Sequence, residues 1–393
     1  MHRVCGRGGR AWIVVLAPFL SLLLFFSWLR TSRSTLLLAD YASDFDPDHN
    51  SILRQGILNR PHDHNDTVNA GCSRWILPGM EDVLVILKTG VTEALEKVPV
   101  HVETTLRCVP NYAIFSDYEE VIAGVRTHDV LRNVSDHVKR DFPEFDIYNR
   151  VQRQGRAALT QNDYGDDSNG PFGRLNNAGW TLDKWKFLPM IDAALEVAPQ
   201  AKWFVFMEAD TYLMWPNLIS WLDRLDHRQP LYLGAQMAIG DTVFAHGGSG
   251  FVISKPAMRE VSNRRATDLD LVDQITAEEW AGDCALGRVL NDVKVPLTWS
   301  WPMLQGSRPW DLDHFDENFD INMWCYPVVS YHHMGPPDIR EFWEFDRALF
   351  GSVSCTSLYT YLCHHADLAV RTTPTPESSS TATSSAIWCF PRS

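Results

Sequence analysis

The residues of this chain best suited to chemistry are acids and imidazoles in a few short segments. Glu208 and Asp210, one small residue apart, close the apolar run Trp203-Phe204-Val205-Phe206-Met207. Carboxylates delivered by the end of such a strand can hold a hard divalent cation, and a cation there can hold a diphosphate. In the turn Gly247-Gly248-Ser249-Gly250, glycine would let backbone N–H groups approach a ligand closely. Asp283, in Gly282-Asp283-Cys284-Ala285-Leu286-Gly287, would sit near a helix start, where the dipole favours the ionised form; at a cleft edge it could serve as a general base. In Val328-Val329-Ser330-Tyr331-His332-His333-Met334 the two histidines should leave a short strand in opposite directions, so that at most one faces a given site. A neutral imidazole can complete a manganese shell begun by carboxylate, water and phosphate oxygens. Each segment also has an everyday reading: an acidic turn, a tight turn into a strand, a capping Asp and a solvent-exposed His pair.

Positioning these groups needs buried strands ending at one edge. Glu81–Gly90 predicts a strand running into a polar turn and a helix near Val91–Val98, and Asn111–Phe115 a second strand. Gly179–Ala198 has a helical pattern, with Thr181 as N-cap and Phe187, Ile191 and Leu195 on one face; Pro189 predicts a kink or a later start. The Trp203–Met207 run follows at once, read as a strand buried on both faces. Short strands are expected at Pro230–Gly234 and after the glycine turn at Phe251–Ile253. Ser254 should cap a helix with Pro256 in its first turn, and Glu278–Leu290 should form another helix. Tryptophan-rich loops fill Thr298–Trp324. This alternation is that of an α/β domain, in which ligands sit beyond the carboxyl ends of the strands.

The chain has 393 residues, 45% apolar and 21% charged, enough for a sizeable core. Ala11–Leu29 is the one long apolar run, about 28 Å as a helix. Arg3, Arg7 and Arg10 precede it, favouring a cytoplasmic N-terminus and an uncleaved signal anchor. The expected organisation is a cytoplasmic tail over 1–10, a transmembrane helix over 11–29, a stem over 30–80, a luminal domain over 81–365 and a Ser/Thr/Pro-rich tail over 366–393. The sequons at Asn65 and Asn133 agree with a luminal address. Seven cysteines beyond Cys5 with no Cys-x-x-Cys pair point to disulfides rather than zinc; the odd number leaves one thiol free or paired between chains, so a disulfide-linked or non-covalent homo-oligomer is an open expectation. Residues 34–393 carry 30 basic and 49 acidic residues, which argues against a nucleic-acid partner.

Taken in order, the segments from Lys202 to Leu290 and on to His332 resemble the β-1,3-glycosyltransferase superfamily (glycosyltransferase family 31), which includes the fringe proteins and core 1 β-1,3-galactosyltransferase. Glu208-Ala209-Asp210-Thr211-Tyr212 is similar to the family's strand ending in three acids; Gly247–Ser254 to its Gly-Gly-Ala-Gly-Tyr-Val-Leu-Ser segment; Asp283–Arg288 to its Asp-bearing helix with a Leu-Gly-Arg ending; and Val329–His332 to its Val-Ser-Phe-His ending. The resemblance implies a GT-A-type glycosyltransferase fold, a Rossmann-like mixed sheet flanked by helices, behind the anchor. It implies that Asp210 and His332 bind Mn²⁺ and that Asp283 is the catalytic base. Glu208 would contact the ribose or a metal-bound water; Lys88 and Thr89 would lie at the nucleotide-binding edge, and Gly248, Ser249 and Gly250 at the cofactor. The middle acid is Ala209 here, and the first is Glu208 in place of Asp, which shifts its oxygens by one methylene. The implied activity is inverting transfer of a hexose, galactose in a β-1,3 linkage, from a UDP-sugar to a glycan or glycoprotein acceptor. The implied setting is the Golgi or ER membrane, with a single-pass type II topology. Trp299, Trp301, Trp310 and Trp324 are candidate acceptor platforms. The competing expectations are a luminal chaperone or lectin on the same fold and a transferase using UDP-N-acetylglucosamine.

Overall fold

A computed structural model describes residues 72, 76–165, 174–312, 317–318, 321–323 and 326–352. The chain divides into units 1–52 and 53–393, and every described residue belongs to the second. The expected cytoplasmic tail, anchor, most of the stem, the Asn65 sequon, Trp324 and the 366–393 tail lie outside the described residues. Among the described residues no helix is long and apolar enough to cross a membrane. Asn133 is exposed, as a sequon requires, and Cys72 is disulfide-bonded to Cys108.

The domain is built on an eight-stranded mixed sheet. In chain order its strands are β1 (Val83–Lys88), β2 (Tyr112–Ser116), β3 (Glu120–Ile122), β4 (Val125–Asp129), β5 (Trp203–Glu208), β7 (Tyr232–Gly234), β10 (Phe251–Ser254) and β11 (Leu297–Trp299). Among the described residues six short strands lie outside it, in three pairs: β6 (Tyr212–Leu213) with Ser330–Tyr331, β8 (Gln236–Ile239) with β9 (Thr242–Ala245), and Glu317–Asn318 with Ile321–Asn322. The order across the sheet is β11-β7-β10-β5-β1-β2-β4-β3. β1 pairs in parallel with both β2 and β5, whereas β10 runs antiparallel between β5 and β7. The chain therefore leaves β1 to one side and returns on the other, a switch of direction that opens a crevice at the strands' carboxyl ends. Lys88 and Glu208, the last residues of β1 and β5, are register partners at that edge.

The unbroken apolar runs follow from burial on both faces. Leu84, Ile86, Phe204, Phe206, Phe251 and Ile253 enter one core, and Val83, Val85, Leu87, Val205, Met207 and Val252 enter the other. A smaller cluster gathers Tyr212, Met214, Tyr331 and Phe342 behind the acidic turn.

The helices that bear on the site are α1 (Ala94–Glu103), α2 (Ala178–Asp183), α3 (Phe187–Val197), α4 (Lys255–Thr267), α5 (Leu269–Glu278), α6 (Gly282–Asp292) and α7 (Pro336–Ser352). Pro189 lies in the first turn of α3, where its missing N–H costs no helical bond, so the later start expected of the Gly179–Ala198 segment is what forms. Thr181 is not the N-cap. Asn177 holds that position and accepts from the Trp180 N–H, while the Thr181 hydroxyl donates to Ala178 O inside α2. Ser254 stands at the N-cap position of α4 but does not cap it with its side chain, because its hydroxyl donates to Gln229 O (2.7 Å) and accepts from Leu231 N (2.8 Å). The helix expected over Glu278–Leu290 breaks at Glu279–Ala281. Glu279 is extended there, its carbonyl accepts from the buried Lys184 Nζ, and α6 starts afresh at Gly282.

Candidate active site

Asp210 and His332 are far apart in sequence and meet through one small strand pair. Ser330–Tyr331 pairs antiparallel with β6, placing Tyr331 opposite Tyr212, and Met334 N–H donates to the Asp210 carbonyl (2.9 Å). The next residue after Tyr331 thus faces the acidic turn, with His332 Nε2 3.3 Å from Asp210 Oδ1. Thr211 fixes the turn from within: its Oγ1 accepts from Glu208 N and donates to Gly248 O.

The histidine pair does not alternate as a strand would. The strand stops at Tyr331, and His333 takes a left-handed backbone (φ +59°), which turns its ring onto that of His332 with centroids 3.8 Å apart. Both imidazoles therefore face one carboxylate. Asp210, His332 and His333 each offer a ligand atom, and these atoms all lie within 4.8 Å of one another. Ligands at adjacent corners of an octahedron around a small divalent ion are separated by about 3 Å, so the Asp210–His332 spacing fits such an ion.

The charges agree. Burial opposes ionisation of Asp210, but the hydrogen bond and charge of His332, with Lys97 and His333, hold its carboxyl well below the usual range. Lys97 reaches it from α1, with Nζ 3.5 Å from Asp210 Oδ2 and 2.8 Å from Glu93. Glu208 is likewise held low, because the Lys88 ammonium 3.2 Å away outweighs its burial and the repulsion of Asp210. Lys88 also bonds Asp183, and Asp183 bonds Lys186, which holds Asp117 and the Thr89 carbonyl. A buried chain of alternating charges thus runs from the end of β2 to Glu208.

Asp283 enters from α6. Its Oδ2 accepts from Gly247 N (2.8 Å) and its Oδ1 from Cys284 N (2.9 Å). Burial, with Glu208 adding to it against the Gly247 hydrogen bond, raises its carboxyl to about 6. The helix start therefore does not dominate this acid; burial does. Gly247 stands between the two carboxylates, since a Cβ there would lie 2.9 Å from Glu208 Oε1 and 3.3 Å from Asp283 Oδ2. At Gly248 a Cβ would fall 2.1 Å from the His332 ring, so glycine is what lets the imidazole seat.

The remaining residues expected at the site are placed less directly. Thr89, Ser249 and Gly250 are fully shielded. Ser249 Oγ bonds His246 Nδ1 (2.7 Å), its carbonyl accepts from Ser330 Oγ, and Gly250 supplies the positive φ (+74°) that closes the turn. These residues shape the cradle from behind. Trp299 and Trp310 are widely exposed, and Trp301 is half-buried against the core. Sequence reasoning missed Lys97, Asp183, His246 and His101. His101 is wholly buried on α1, and its Nε2 meets the Ala209 carbonyl at 2.9 Å; desolvation lowers its pKa to about 4, so the neutral ring donates to that carbonyl. Nothing in the sequence sets Lys97, His101 and Asp183 apart from ordinary helix residues, whereas His246 directly precedes the glycine turn.

The site is thus an α/β domain's cluster of acids and imidazoles converging at the carboxyl ends of its central strands, a donor set that could hold a divalent cation. The sequence match narrows that class: residues 184–304 match the model of the Fringe-like family, over the segment that spans both carboxylates of the turn, the glycine turn and Asp283. A glycosyl-transfer role is supported by that match, with a sugar donor and an acceptor as its ligands. Among solved structures, the chain is similar to the "crystal structure of a glycosyltransferase involved in the glycosylation of the major capsid of PBCV-1", at 12% identity over 66% of this chain and 98% of that one, with a TM-score of 0.30. A superposition that loose says nothing further about fold or activity.

Proposed function

We propose that this protein is an inverting, Mn²⁺-dependent hexosyltransferase that moves galactose, in a β-1,3 linkage, from a UDP-sugar to a glycan or glycoprotein hydroxyl. In this reading it acts in the Golgi or ER as a type II membrane protein. The observation that carries it is the convergence of Asp210, His332 and His333 on one point, with Asp283 on the far side of Glu208 and Gly247. Asp210, His332 and His333 would hold the ion, which when bound supplies Lewis-acid neutralisation of the diphosphate. Lys88, clamped between Asp183 and Glu208, holds the Glu208 carboxylate in place, and that carboxylate would contact the ribose or a metal-bound water.

Asp283 takes the proton from the acceptor hydroxyl as that oxygen bonds to the anomeric carbon. The bond from that carbon to the phosphate oxygen breaks on the opposite face, and UDP leaves with the electron pair. An acid raised to about 6 suits this task, being largely ionised at neutral pH while retaining affinity for the proton. No covalent enzyme intermediate is needed.

The test is UDP release from several UDP-sugars, with and without Mn²⁺, for the wild type and Asp283→Asn. The expected result is Mn²⁺-dependent release, greatest with UDP-galactose, and a loss of about 10²–10⁴-fold in Asp283→Asn with UDP–Mn²⁺ binding retained. Full transfer by that variant would overturn the base assignment. Absence of release with every donor would favour a non-catalytic chaperone or lectin.

A further inference from the structure

Away from the acidic turn, a cleft lies between the residues that precede β1, the Thr104–Val109 segment and α7. Its walls include Met80, Val109 and Trp215, and the Cys72–Cys108 disulfide borders it. Two buried oxygens in its lining have no hydrogen-bond partner among the described residues: Asp346 Oδ1 and Thr105 Oγ1, on side chains of residues 2% and 3% exposed. The other carboxylate oxygen of Asp346 accepts from Tyr212 Oη (3.0 Å), and the Thr105 carbonyl accepts from Trp215 Nε1 (2.8 Å), so only one oxygen of each residue is left over. Buried polar atoms are almost always paired, and leaving one unpaired costs about 1–3 kcal/mol.

The rim has the opposite need. Arg107 and Arg347 hold their guanidinium groups over the Trp343 ring, at 5.9 and 4.6 Å from its centroid, and neither forms an ion pair among the described residues. Two guanidinium groups disfavour a cationic ligand, and the buried carboxylate disfavours an anion reaching the floor. A ligand that satisfies both ends presents hydroxyl donors inward, an apolar C–H surface to the walls and an acidic group outward.

We infer that this cleft is a second binding site, separate from the acidic turn, for an acidic pyranoside such as a uronic acid. Its hydroxyls donate to Asp346 and Thr105, and its carboxylate takes hydrogen bonds from Arg107 and Arg347. None of its lining residues is among those assigned to transfer, so the inference stands without the transferase reading.

The probes are methyl β-D-glucuronide and methyl β-D-glucoside, titrated into the full-length chain by calorimetry, with hydrogen exchange read in parallel. Saturable binding of the glucuronide is expected, with slowed exchange over 104–109 and 342–347. The glucoside, lacking the carboxylate, should bind about tenfold more weakly. Asp346→Asn keeps the Tyr212 contact but turns a donor toward the floor, and Arg347→Met alters only an exposed rim residue; each should weaken glucuronide binding about tenfold. No saturable binding of either sugar overturns the inference. So does binding that both variants leave unchanged, or protection confined to residues outside the cleft. Equal affinity for the two sugars overturns the acidic preference.

Discussion

At the scale of single residues, the site depends on carboxylates kept in different states by their neighbours. Asp210 and Glu208 are held ionised by flanking cations, whereas Asp283 is pushed up to about 6 by burial and by Glu208. A base acts only when deprotonated, so kcat/KM for transfer should rise as pH increases through about 6 and fall below it, measured as a pH–rate profile of the free enzyme. Removing the like charge with Glu208→Gln should move that acid limb to lower pH, whatever the variant does to the plateau. A profile whose midpoint ignores Glu208 would assign the limb to another group. Gly248→Ala gives a second, steric test. The added methyl must displace the His332 ring, so metal affinity should drop about 10–100-fold, the range seen when a ligand's support is removed, while the melting temperature changes little. Titration of Mn²⁺ by electron paramagnetic resonance reads the first quantity and calorimetry the second.

At the scale of elements, the acidic turn is as exact as the strand that delivers it. Phe206 of β5 stacks on Phe251 of β10 at 4.7 Å, and both lie in the core on the same face as α3 and α6. Phe206→Ala should cost about 3–5 kcal/mol, read as a lowered urea midpoint at unchanged m, because the close-packed rings cannot collapse into the space. That pairing also explains what was legible in the sequence. β1, β5 and β10 announce themselves as apolar runs because both faces are buried, and the glycine turn and Asp283 follow them at fixed spacing. What was not legible depends on contacts between distant segments. The break at Glu279–Ala281 is set by Lys184, the shared orientation of His332 and His333 by a single left-handed residue, and the approach of Lys97 and His101 by the docking of α1. None of these leaves a periodic trace. The buried His101–Ala209 contact predicts that His101→Phe, of similar size but without the donor, loosens the turn. Mn²⁺ affinity should fall several-fold while UDP-sugar KM rises, and His101→Gln, which restores a donor, should recover part of both.

At the scale of the whole molecule, an acidic chain must present two ligand-facing regions without unfolding around their unpaired charges. The luminal address proposed for it supplies one means of doing so: the Cys72–Cys108 disulfide, which ties the N-terminal edge of the domain to the loop after α1. That loop carries Thr105 and Arg107 of the second cleft, while α1 itself carries Lys97 and His101 of the first site. One cross-link therefore supports both. Closing a loop of 36 residues removes denatured-state entropy equivalent to about 3–4 kcal/mol. Cys72→Ser with Cys108→Ser should lower stability by that order, measured by denaturation without reductant. Dithiothreitol should shift the wild type toward the variant; among the described residues the remaining cysteine, Cys284, is buried and free. If the bond only ties down an edge, hydrogen exchange in the variant will rise near residue 72 alone. If it braces the loop and α1 as the contacts indicate, exchange will rise through 94–109 as well, and both Mn²⁺ affinity and glucuronide binding will weaken with it.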